Sequence, residues 1–163
     1  VSADTSYTVT SYLLGTAVTF TFGPFSIAGD IWTGQNMNEY GWTGSETAGG
    51  IGYGFSPILR TSQVEDSDWL GLGLVGKFKV TDMITLEAGY MQIDCERPAA
   101  VAGVGDDQDK QALMYFTVPI EIVKNMWIQP ELGKYDWKDR TVNGVTTSEG
   151  STIYGGVYWR IAF

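Results

Sequence analysis

A chain of 163 residues is one domain's worth and long enough to bury a real core. Its 19 acidic and 10 basic side chains, a formal charge of −9, argue against nucleic acid and against a polybasic hold on an anionic membrane surface. It has no histidine, which removes the Ser-His-Asp and Cys-His nucleophile systems and the His-based metal sites together, so we expect no catalysis, no cofactor and no metal.

The 21 glycines and 13% aromatic residues suit an all-β protein rather than a helical bundle. Thr5 to Gly29 is uncharged and long enough to span a membrane as a helix. Gly23-Pro24 interrupts it, however, and Thr8, Thr10, Thr16, Thr19 and Thr21 favour strands. Any membrane crossing is therefore expected to be a barrel. The chain opens Val1-Ser-Ala-Asp without a charged and apolar leader, which reads as a mature chain or a fragment.

In chain order, residues 1–10 are polar and read as a loop or an incoming strand end. From Tyr12 to Phe22 the alternation is clean: Leu14, Thr16, Val18, Phe20 and Phe22 face one way, Gly15, Ala17, Thr19 and Thr21 the other. Gly23-Pro24 turns the chain. The return strand sets Phe25, Ile27, Gly29 and Ile31 against Ser26, Ala28, Asp30 and Trp32. Residues 34–68 show no sustained period and read as a long loop.

A second hairpin runs from Trp69 to Val80 and from Ile84 to Asp94, turning at Thr81-Asp82-Met83. It opposes Leu70, Leu72, Leu74 and Phe78 to Gly71, Gly73, Lys77 and Lys79. A loop over 95–109 follows. A third hairpin runs from Lys110 to Ile122 and from Met126 to Trp137 around Val123-Lys124-Asn125. Pro119 and Pro130 sit awkwardly in it, since each removes a ladder donor. Residues 138–150 read as a polar loop. The terminal strand sets Ile153, Val157, Trp159, Ile161 and Phe163 against Tyr154, Tyr158 and Arg160.

Connections thus alternate, short at 23–24, 81–83 and 123–125 and long at 34–68, 95–109 and 138–150. Short turns on one side and long loops on the other are the asymmetry of outer-membrane barrels. The pattern predicts an antiparallel transmembrane β-barrel domain over residues 1–163, with seven strands. An odd and small count implies that N-terminal strands are missing. The alternative is that residues 2–10 supply an eighth strand to a small closed barrel.

Several segments resemble porins of sulfate-reducing and related proteobacteria. They are Thr21-Phe22-Gly23-Pro24-Phe25 with Gly34-Gln35-Asn36, and Val118-Pro119-Ile120-Glu121-Ile122 through Lys124-Asn125 to Ile128-Gln129-Pro130-Glu131-Leu132-Gly133. The end, Tyr158-Trp159-Arg160-Ile161-Ala162-Phe163, resembles the signal read by the barrel-assembly machinery, carried by Tyr158, Trp159, Ile161 and Phe163. The resemblance implies a homotrimer of roughly sixteen-stranded, water-filled barrels in a bacterial outer membrane, among lipid and lipopolysaccharide. These pass small hydrophilic solutes and ions, and the chain would be a C-terminal portion of one.

The side expected to face water carries the candidate pore-lining residues Asp30, Lys77, Lys79, Glu87, Tyr115, Glu121, Glu131, Tyr135, Tyr158 and Arg160. Glu121 and Glu131 could pair there with Lys77, Lys79 or Arg160. Phe22, Tyr90 and Trp159 on the other side read as girdle residues. The acidic groups Glu65/Asp66/Asp68 and Asp106/Asp107/Asp109 lack the spacing of a calcium loop and read as solvated surface rather than a divalent-cation site. Cys95, expected just past a strand beside Asp94 and Glu96, reads as incidental. Two other functions stay open: a small closed barrel acting as anchor or adhesin, and a soluble β-barrel binding an apolar ligand.

Overall fold

The computed structural model describes residues 7–37, 54–60, 63–99 and 103–162, which form an all-β structure with no α-helix among them. The strands are β1 (Tyr12–Phe22), β2 (Phe25–Gln35), β3 (Ile58–Arg60), β4 (Gln63–Glu65), β5 (Asp68–Lys79), β6 (Thr85–Arg97), β7 (Asp107–Thr117), β8 (Ile120–Val123), β9 (Met126–Trp137), β10 (Asp139–Val142), β11 (Val145–Ser148) and β12 (Ser151–Ile161). Seven of them are long, and these form one antiparallel meander in the order β1-β2-β5-β6-β7-β9-β12.

The turns follow from local chemistry. Phe22 pairs with Phe25 across Gly23-Pro24, and Gly23 takes a φ of 60° that L-residues avoid. Val123 pairs with Met126, and Asn125 supplies the positive φ of that turn. At the opposite end the connections hold structure of their own. The expected loop over 138–150 contains the hairpin β10–β11, closed by Asn143 and Gly144 at φ 49° and 78°. Asn-Gly between alternating residues is the strongest short hairpin signal, and it corrects the loop reading. The long β2–β5 connection likewise contains the small hairpin β3–β4.

The two prolines share one irregularity. β7 stops at Thr117 and β8 begins at Ile120, so Pro119 falls in the break. The Pro130 carbonyl accepts from Val118 N–H at 3.0 Å. N–H and C=O of one residue point toward the same neighbour in an antiparallel ladder. The donor that Pro130 lacks would therefore also point at the break, where the ladder is already interrupted.

Direct register partners point to the same side of a sheet. One row reads Ser26-Lys77-Glu87-Thr117-Glu131-Gly156 from β2 to β12; its neighbour reads Ala28-Val75-Gly89-Tyr115-Gly133-Tyr154. This is the polar face. The other face alternates with it: Phe20-Ile27-Gly76-Ala88-Phe116-Leu132-Gly155 is a row without a single polar side chain.

Among the described residues nothing closes the sheet. β1 pairs only with β2, and β12 only with β9, so both are edges. Residues 7–10, the described part of the alternative eighth strand, are not in a strand; residues 1–6 lie outside the described residues. The buried apolar cluster, Met37, Phe55, Trp69 and Cys95, lies at the end with the long connections.

Candidate functional site

The ten candidate residues share the polar face. Asp30 is opposite Gly73, Lys77 opposite Glu87, Lys79 opposite Thr85, Tyr115 opposite Gly89 and Gly133, and Tyr135 opposite Thr152. Glu131 is opposite Gly156, Tyr158 opposite Gln129, and Arg160 opposite Trp127, which in turn faces Glu121. The period of two places them together without any need for them to touch.

Some do touch. Lys77 Nζ lies 2.8 Å from Glu87 Oε2, and the Tyr115 hydroxyl donates to Glu87 Oε1 at 2.7 Å. Two strands further on, the Tyr154 hydroxyl donates to Glu131 Oε1 at 2.9 Å. Both tyrosine rings lie over glycines: a Cβ on Gly89 would run into the Tyr115 ring, and one on Gly133 into the Tyr154 ring. Trp32 over Gly71 and the Asp30 carboxylate over Gly73 repeat the arrangement. Each glycine makes room for a bulky neighbour to lie along the sheet rather than stand off it.

The expected pairing of Glu121 and Glu131 with the cations does not occur among the described residues. Lys77 pairs with Glu87 and Lys79 with Asp82 at 2.7 Å, while the Arg160 guanidinium stacks on the Trp127 ring, 4.6 Å from its centroid. The Glu121 carboxylate instead accepts from Asn125 N–H at 3.1 Å, capping its own turn. The physical reason is proximity, since each cation has a partner one strand or one turn away. In the turn after β5, the Lys79 ammonium holds the Asp82 carboxyl below the usual carboxylate range.

The opposite face is an oblique apolar band. On β1 it runs from Leu14 to Phe22 and on β5 from Leu70 to Phe78; on β9 it runs from Leu132 to Met126 and on β12 from Ile153 to Ile161. Leu70 thus shares a row with Asp94 and Lys110, and Leu74 with Lys134. Measured against the register rows, the band lies toward the short-turn side on β9 and β12 compared with β1 and β5. Leu14, Val157 and Ile153 are 70–72% exposed, so nothing described covers the band. The expected girdle residues Phe22, Tyr90 and Trp159 belong to this face. Phe22, Phe25 and Phe78 stack along its short-turn edge with centroids 6.0 and 4.5 Å apart. Of the expected assembly signal, Tyr158 is on the polar face and Trp159 and Ile161 on the apolar one; Phe163 lies outside the described residues.

The long-connection end of the polar face holds a cluster that the sequence reading missed. The Phe55 ring sits between two guanidiniums, 4.5 Å from Arg97 and 5.0 Å from Arg140. Arg97 pairs at 3.1 Å with the fully buried Asp107, which also accepts from Asn143 N–H at 2.6 Å. Asp109, 2% exposed, accepts from Gly54 N–H at 2.8 Å and lies 3.7 Å from Arg140. Two of the supposedly solvated acidic loop residues are thus buried counter-ions. Cys95 lies within β6, not past it, and its sulfur accepts from Phe55 N–H at 3.3 Å; it is a core residue, not an incidental one. Nearby, burial and the charge of Asp109 push the Glu149 carboxyl upward against the pull of Arg140. Asp66 accepts from the Asn36 side chain at 2.7 Å, so that cluster too is tied into the structure.

No protein-family model matches the chain, and neither curated proteins nor solved structures gave a match.

Proposed function

We propose that the chain forms part of the wall of a bacterial outer-membrane porin. The apolar band faces lipid, and the polar face borders a water-filled channel for passive diffusion of small hydrophilic solutes and ions. The observation that carries this reading is the oblique band. Two-faced strands occur in soluble sheets, but there the apolar face is covered by a second layer. Among the described residues it is bare, it runs obliquely across the sheet as a lipid slab would on tilted strands, and the face opposite it carries all ten candidate residues.

β1 and β12 run in the same direction, so antiparallel closure needs an odd number of further strands between them. In the complete barrel, Asp30, Lys77, Glu87, Tyr115, Glu131, Tyr158 and Arg160 line the passage. Lipopolysaccharide surrounds the band, two further copies complete a trimer, and the assembly machinery reads the terminal strand.

The test is single-channel recording of the natural polypeptide in planar bilayers. Discrete, ohmic conductance steps are expected. A folded, membrane-inserted protein that gives none defeats the porin reading and favours a closed anchor or adhesin; solubility without detergent defeats both.

A further inference from the structure

Residues 54–56 do not belong to the sheet's own pairing. Gly54 to Ser56 come from the β2–β5 connection, yet they lie on the polar face across β5, β6 and β7, above Trp69, Cys95 and Asp109. Trp69, Cys95 and Asp109 are register partners in one row, so the segment crosses the strands.

Every local interaction holds it down. Gly54 N–H donates to Asp109, Phe55 N–H donates to the Cys95 sulfur, and Arg97 Nη1 donates to the Ser56 carbonyl at 2.9 Å. Phe55 is completely buried between Arg97 and Arg140. Gly54 has a φ of 74° and lies so close to the Trp69 indole that a Cβ would run into the ring. Burying two aspartates is costly unless they are paired, and the part-buried arginines that pair with them also flank one short piece of connection.

We infer that residues 54–56 are a strap clamped across the channel side of the wall at the long-connection mouth. Seated, the strap narrows the passage there and seals Cys95 beneath it. This rests on the porin reading for the word passage; the seating itself does not.

Cys95 is the chain's one cysteine, so its labelling reports a single place. The experiment compares the natural polypeptide with Phe55→Ala and Phe55→Leu, reconstituted and checked for strand content by circular dichroism. One arm measures the rate of maleimide labelling of Cys95; the other measures the size of polyethylene glycol that still enters the open channel. Phe55→Ala is expected to raise labelling at least tenfold and to admit larger polymers, with Phe55→Leu between it and the native protein. Labelling unchanged in folded Phe55→Ala overturns the strap. Faster labelling with an unchanged polymer limit overturns its role in setting the width. A native protein that labels slowly but never conducts keeps the seated strap and defeats the porin reading instead. If Phe55→Ala does not fold, Phe55→Leu alone decides: faster labelling upholds the strap and an unchanged rate overturns it.

Discussion

At the long-connection end of the sheet, Trp69, Phe55 and Cys95 are buried beside Asp107 and Asp109; at the short-turn end, Phe22, Phe25 and Val123 stand exposed. The difference is a second layer. Where the β2–β5 connection folds back, the sheet acquires a small core and can bury charge in pairs. Elsewhere no described residue lies over it, and its apolar side chains stand exposed. On the proposed porin reading, one end draws stability from the chain itself and the rest from lipid, and each substitution below tells the two apart by whether its effect depends on lipid.

The largest expected effect is at the buried end. Asp107→Ala leaves the Arg97 guanidinium and Asn143 N–H without their acceptor. Removing one partner of a buried ion pair costs about 3–5 kcal/mol. Urea unfolding should show this loss in detergent and in bilayers alike; a loss under ~1 kcal/mol would mean that the cluster is not the core described. Next comes the middle of the polar face. Gly133→Val displaces the Tyr154 ring and breaks its hydrogen bond to Glu131, an overpacking of about 1–3 kcal/mol. Unchanged stability, with the Tyr154 environment unchanged by NMR, would show that the ring does not lie on Gly133.

The smallest effect is at the short-turn end. Asp82 has its folded-state pKa lowered by Lys79, so the pair stabilises the fold above the ordinary carboxylate pKa and is lost as pH falls through the lowered one. Carbon-13 titration of Asp82 should place its midpoint below the usual value, and Lys79→Ala should return it there. A native Asp82 midpoint at the usual value would contradict the pairing. Because the pair is exposed, its loss should lower the unfolding midpoint only slightly, by less than either substitution above.

The faces of the sheet were legible because a one-residue slip in register would exchange them, so alternation in the sequence specifies them strongly. All ten candidate residues therefore share one side. Their pairings were not legible, since those depend on which strand lies one step away, as with Lys77 and Glu87. The Phe55 cluster unites Gly54, Cys95, Asp109 and Arg140 across four separate segments, and no periodicity in any of them announces it. The β10–β11 hairpin is different: Asn143-Gly144 stated it locally, and its polar flanks hid it among loop residues.

The central claim is that the two faces meet different solvents, and β12 tests it because it lies at an edge. Nitroxide labels are placed singly at Ile153, Tyr154, Val157 and Tyr158 in a Cys95→Ala background, in bilayers. Labels at Ile153 and Val157 should be relaxed by oxygen, which concentrates in lipid, and labels at Tyr154 and Tyr158 by a water-soluble nickel complex. Equal access at all four positions, or the opposite parity, would contradict the account.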